Sequence, residues 1–311
     1  MLEKINKTVA KFIKETEIMD IEDFIFLNRL IDIFENNYKG SNIPKYRNKQ
    51  SFEKSYYYAY DFLKSINPSY ANYLEASNEN NIFELLINSD EMAYSTKEDG
   101  VKKIYLAITN TIGDSYTIAH EIIHDMSLEE NISMARHVFC ESFSLLAEEL
   151  QYEYFKENKK AKDYTISRLE TLETIHEYNE SIRIEQKLIE IYLNKGAINS
   201  IDIVELYEQC TDKEIFKIAI ENLVNKEDIS IDIKQRYVIG ILFAYHMLDR
   251  IHSNRKNMQE FFDLNEMINY YDPIDFVEYL GLELRDGDIF DLTDESYKEL
   301  EQSFVKILKI R

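Results

Sequence analysis

A formal net charge of -22 on 311 residues leaves no basic face with which to meet a phosphate backbone, so nucleic acid is excluded as a partner. With 7 Gly, 3 Pro and 2 Cys, turn residues are few and no disulfide framework exists, which points to long helices and a reducing, cytoplasmic setting. No uninterrupted apolar run of about 18 residues occurs, so no membrane partner is expected, and the stretch MLEKINKTVAKFIKETEIMD lacks the apolar core of a signal peptide.

From Met1 to about Asn80 apolar residues recur at three and four, as in Phe24, Leu27, Leu30, Ile31 and Phe34, with breaks at Lys39-Gly40 and Asn67-Pro68. Residues 1–80 therefore read as a helical N-terminal part. The pattern then changes: AYS, KEDG and VKKIYLAIT predict a hairpin with Gly100 in its turn and a strand from Lys103 to Ile108. That strand could offer an edge to an extended peptide. After Gly113-Asp114 an amphipathic helix covers Thr117 to Met126, and a long helix follows from about Ser133 to Phe155. Helices continue to the end, punctuated by Lys195-Gly196, an N-cap at Thr211, a break over Asn225 to Glu227 and another at Asp272-Pro273. The solvated run ENKKAKD, near Lys159 to Lys162, is a candidate boundary.

The helix over Thr117 to Met126 contains HEIIH. His120 and His124, four apart, share one helical face and can reach one divalent metal, while Glu121 sits beside the water that such a metal would bind. A catalytic zinc needs a third protein ligand, and the following helix offers His137, Glu141, Glu148 and Glu149. Glu141 is chosen because Phe139, Cys140 and Phe143 flank it with apolar surface, whereas Glu149 belongs to an acidic doublet expected to be wet. Ser144 and Glu148 are placed to orient the ligands. His176, His246 and His252 have no matching constellation and read as surface or packing residues.

These residues resemble a known family. YLAITNTIGDSYTIAHEIIHDMS, from Tyr105 to Ser127, is similar to the zinc-helix region of the thimet oligopeptidase and oligoendopeptidase F family of HExxH zinc metallopeptidases, where a strand and an Asn-containing turn lead into the helix. Glu141, Ser144 and Glu148 repeat the family's E-x-x-S-x-x-x-E pattern, whose first Glu is the third zinc ligand. RYVIGILFAY, from Arg236 to Tyr245, resembles the tyrosine-bearing helix that faces the zinc, and the tail from Asp272 onward resembles the family's C-terminal stretch. The likeness runs, with gaps, from about Ala93 to Arg311. It departs at Ile123, where the family usually has Gly, and at Gln235, where a second tyrosine is expected. The segment between His124 and Glu141 and the chain itself are also shorter than usual.

The resemblance implies a mainly α, zincin-like helical metallopeptidase with one small antiparallel β-sheet beside the active-site helix. Residues 81–160 would form the zinc-binding region, and residues 161–311 a helical C-terminal lobe closing the cleft. The expected function is zinc-dependent endopeptidase action on short or unstructured peptides, with Zn²⁺ on His120, His124 and Glu141 and with Glu121 as general base. Tyr237 is the expected oxyanion donor and Tyr245 the reserve. Two alternatives stand beside it, an HExxH protease acting on a specific folded protein and an inactive helical interaction protein that retains a metal site.

Overall fold

The computed structural model describes residues 1–16, 24–41, 43, 48–87, 93–98, 100–127, 133–156, 161–285 and 291–309. In chain order these form α1 (Leu2–Thr16), α2 (Ile25–Asn37), α3 (Phe52–Ile66), α4 (Pro68–Glu79), β1 (Phe83–Ile87), β2 (Tyr94–Glu98), β3 (Val101–Ile108), α5 (Gly113–Ser127) and α6 (Met134–Phe155). Then follow α7 (Ala161–Lys195), α8 (Ser200–Gln209), α9 (Lys213–Asn225), α10 (Ile231–His252), α11 (Met258–Met267), α12 (Pro273–Tyr279) and α13 (Asp294–Leu308). The architecture is thus mainly α with one small sheet. Most of the ENKKAKD run lies outside the described residues.

Local chemistry sets where helices start. Asn67 accepts from the Ser69 amide while Pro68 opens α4, Ser133 accepts from the Arg136 amide at the head of α6, and Asp272 caps α12 ahead of Pro273. The cap expected at Thr211 falls one residue later. Asp212 accepts from both the Glu214 and Ile215 amides, because a carboxylate satisfies two orphan donors and its charge suits a helix N-terminus.

The sheet also differs from the expectation. β2 and β3 form the antiparallel hairpin, with Tyr94 opposite Tyr105 and Gly100 at φ +77° in the turn, but β1 adds in parallel on the other side, Phe83 opposite Ile104. The sheet is mixed, in the order β1-β3-β2. The run FELLI is short and, apart from Glu84, apolar without alternation, a pattern that does not separate strand from helix. β3 is therefore central and has no edge to offer. β2 is an edge strand among the described residues, and both β2 and β3 lie against α5.

The chain divides into two compact units, residues 1–39 with 173–238 and residues 40–172 with 239–311. In the first, Ile5, Val9 and Phe12 bury one face of α1, and Thr8 Oγ1 donates to the Leu223 carbonyl (3.2 Å). His176 meets Glu35 at 2.9 Å, and buried Lys234 meets Glu185 at 2.6 Å. In the second, α5 lies against α3, α6 and β3, with Ile118, Ala119, Ile122 and Ile123 wholly buried.

β3 passes into α5 through a tight turn. Asn110 takes a left-handed φ of 56°, and Asp114 accepts from both the amide (2.8 Å) and the hydroxyl (2.7 Å) of Thr109. Those bonds fix the angle at which α5 leaves the sheet.

Among the histidines without a functional constellation, His246 is buried, with Nε2 donating to the Leu280 carbonyl (3.0 Å) and Nδ1 3.0 Å from Ser303 Oγ. Burial, opposed by the Leu280 bond, pulls its pKa from 6.5 down to about 4. An unfolded chain binds the proton in this window and the folded one does not, so stability falls with acidification. Comparing wild type with His246→Gln by urea unfolding between pH 6.5 and 4 should show a wild-type loss of up to about 3 kcal/mol that the variant lacks.

Candidate metal centre

HEIIH occupies the middle of α5, and the apolar residues around it turn into the core, which leaves His120, Glu121 and His124 on the side of α6 and β2. The two imidazole centroids are 4.8 Å apart. Glu141, near the middle of α6, directs Oε2 between them, 3.5 Å from His120 Nε2 and 3.0 Å from His124 Nε2. The three side chains thus present one ligand atom each, all within 4.8 Å of one another. Glu141 is 7% exposed and His120 8%, so the cluster is nearly dry.

Each member is held from behind. His120 Nδ1, the nitrogen turned away from Glu141, meets Glu148 Oε1 at 2.7 Å, and Glu148 Oε2 accepts from Thr171 Oγ1 at 2.6 Å. Ser144 Oγ donates to the His120 carbonyl (3.1 Å). Glu148 thus touches the His120 ring and Ser144 its backbone. Behind Glu141 stands Gly240 of α10, where an added Cβ would lie 3.1 Å from Glu141 Cβ and 3.3 Å from a Leu145 methyl. A side chain there would require Glu141 or Leu145 to give way by a few tenths of an ångström.

Glu121 is 4% exposed. Its Oε2 accepts from Ser95 Oγ of β2 at 2.6 Å. Burial raises its pKa, with the two histidines pulling the other way. For His120 the order of effects is similar but the outcome opposite: burial would lower the pKa, yet Glu141 and Glu148 hold it up at about 9. His124 is likewise raised well above its usual value, burial being outweighed by Glu141 and Cys140, and Glu141 is held far below the usual carboxylate range by the same two rings.

A divalent cation fits this set. Glu141 Oε2 is buried with the two ring nitrogens as its polar neighbours, so its charge must be answered by protons on the rings or by a cation. Ligand atoms about 2.0–2.1 Å from a tetrahedral ion lie roughly 3.3–3.4 Å apart, close to the two measured separations. The carboxylate on Nδ1 of His120 matches the way metal-bound imidazoles are commonly oriented.

Tyr245 is fully buried, its hydroxyl donating to Glu149 Oε1 (2.7 Å) with Arg168 3.3 Å away. That donor is committed, which removes Tyr245 as a reserve for the oxyanion. Glu149 is buried and pairs with Arg168 at 2.8 Å, so the acidic doublet is not wet. Its two carboxylates point into different networks, because neighbours on a helix face about 100° apart. Tyr237 belongs to the other compact unit, where its half-buried ring packs against Tyr178 at 5.5 Å. His137 is half-buried and is not among the three converging ligands. Ser95 and Thr171 carry no signal in the sequence, since each reaches the centre through tertiary contact alone.

Solved structures of peptidases share this fold. An oligoendopeptidase F superposes with a TM-score of 0.56 at 11% identity, covering 97% of this chain and 58% of that one. PZ peptidase A with an inhibitor gives 0.55 at 14%, over 96% and 58%. An oligoendopeptidase F from Bacillus anthracis gives 0.53 at 14%, over 98% and 56%. The likeness is one of fold, and this chain spans under three fifths of the length of those proteins. No protein-family model matches the chain, and no curated protein does.

Two measurements test the centre. Because both histidines are held protonated in the metal-free protein, uptake of a divalent ion at pH 7 should release about two protons, read by calorimetry in buffers of different ionisation enthalpy. Glu141→Gln should weaken metal retention at least tenfold, and Gly240→Ala should weaken it by a smaller factor while circular dichroism stays unchanged.

Proposed function

We propose that this chain is a zinc-dependent endopeptidase that hydrolyses short or unstructured peptides. The observation that carries the reading is the convergence of His120 Nε2, His124 Nε2 and the buried Glu141 carboxylate, with Glu121 on the same helix, in a fold shared with oligoendopeptidase F structures. Two imidazoles and a carboxylate, with no thiolate, are a donor set of catalytic zinc sites. Zinc, when bound, supplies a water of lowered pKa, near ~7, and positive charge for the developing oxyanion.

The chain's own residues divide the remaining work. Glu121, with burial raising its pKa, takes the proton of the attacking water and passes it to the leaving amine. Glu148 holds His120 in the tautomer that leaves Nε2 free to bind. Tyr237 is the proposed donor to the oxyanion. The peptide is presented in extended form along the outer edge of β2, which pairs with no other strand among the described residues. Pairing through main-chain groups gives affinity with little dependence on sequence, which suits a peptidase of broad taste. A folded target would first have to free such a strand, and this favours unstructured substrates.

The decisive variant is Glu121→Gln, which keeps the size of the side chain and removes its basicity. It should retain a full complement of zinc and lose hydrolysis of a mixed peptide library by several orders of magnitude. Tyr237→Phe should retain zinc and lower kcat roughly ten- to a thousandfold with little change in KM. If the zinc-loaded wild type cleaves neither short peptides nor folded proteins, the protein is an interaction module that keeps a metal site.

A further inference from the structure

We infer that Ser95 is a positioning residue, one that ties the general base to the strand along which the peptide lies; this role rests on the peptidase reading above. Ser95 stands on β2 opposite Ile104 of β3, and its side chain turns toward α5. Its single hydroxyl proton goes to Glu121 Oε2 at 2.6 Å, with the Glu121 carbonyl 3.3 Å from the same oxygen. No other hydrogen bond to the Glu121 carboxylate is present among the described residues.

The consequence follows from what a general base needs. A glutamate has three side-chain torsions, and its acceptor oxygen must stand within hydrogen-bond reach of the proton it takes. A short bond to a charged oxygen inside a dry site is among the stronger kinds. Ser95 therefore fixes Oε2 and leaves Oε1 as the proton acceptor.

The position of Ser95 adds a second effect. A peptide that pairs with the outer edge of β2 bonds to the backbone of the strand that carries Ser95. Docking of substrate and aiming of the base thus run through one short element, Tyr94–Glu98. A peptide long enough to pair along β2 steadies that element and, through Ser95, the carboxylate. A shorter one does so less.

The test uses the whole chain, with Ser95→Ala and Ser95→Thr compared to wild type. Ser95→Ala should keep its zinc and its circular dichroism, lower kcat about ten- to a hundredfold and change KM less than about threefold. Ser95→Thr, which retains the hydroxyl, should restore kcat to within about fivefold of wild type. Independently of activity, hydrogen exchange in the metal-free protein should quicken at the amides of residues 94–98 in Ser95→Ala and remain near wild type in Ser95→Thr. An active wild type with an unaffected Ser95→Ala kcat, a loss confined to KM, loss of zinc, or failure of Thr to rescue would each overturn the role of Ser95 while leaving the peptidase reading in place. An inactive wild type would overturn the peptidase reading and this role with it.

Discussion

A helix buried on every side must find a partner for each polar group it carries, and the second compact unit is arranged around that demand from α5. Asp114, Ser115, His120, Glu121, Asp125 and Ser127 are all buried. Helix propensity differs by only tenths of a kcal/mol between most residues, whereas an unpaired buried charge costs several. The surrounding elements are therefore set by what they bring to these side chains. β2 brings Ser95 to Glu121. α6 brings Glu141 and Glu148 to the histidines. Tyr73 of α4 and Lys102 of β3 meet Asp125, and Asn265 of α11 donates to the Ile123 carbonyl. Just before His124, the Ile123 side chain is wholly buried in packing.

The same demand explains why the centre suits a cation. Three carboxylates, from Glu121, Glu141 and Glu148, crowd two imidazoles in a nearly dry space. Without a cation the cluster is balanced by protons held on the rings, which is why both histidines titrate high and Glu141 low. A divalent ion answers the same negative charge with shorter bonds and sets the protons free. Glu121 differs from Glu141 in having a hydroxyl rather than a ring as its nearest partner, and its pKa moves the other way. Two carboxylates on facing helices thus acquire opposite acid–base character from their neighbours alone.

Much of this is legible in the residues because it is local or periodic. The i, i+4 spacing of His120 and His124, the i+7 spacing from Glu141 to Glu148, and the capping of α6 at Ser133 follow from helical geometry. The hairpin around Gly100 follows from turn chemistry. What escapes is tertiary. β1 is short and does not alternate, so it does not declare itself, and its pairing makes β3 central. Glu149 looks like a surface charge until Arg168, nineteen residues later on α7, is seen to neutralise it. Tyr245 looks free until its hydroxyl is found on that same carboxylate. In each case the deciding partner is remote in the chain, and no pattern within one element records it.

The neighbouring carboxylates of α6 carry a consequence for how this protein can vary over generations. Glu148 faces His120 and Glu149 faces Arg168, about 100° apart around one axis. Losing or gaining a single codon between Glu141 and Glu148 would rotate the rest of the helix by that angle. Losing one would bring Glu149 to face His120 and leave Arg168 without its carboxylate, and gaining one would bring Glu148 to face Arg168 and leave His120 opposite Ala147. Residue identities along that stretch can drift wherever packing allows, but its length cannot, so inheritance here is constrained in count before it is constrained in kind.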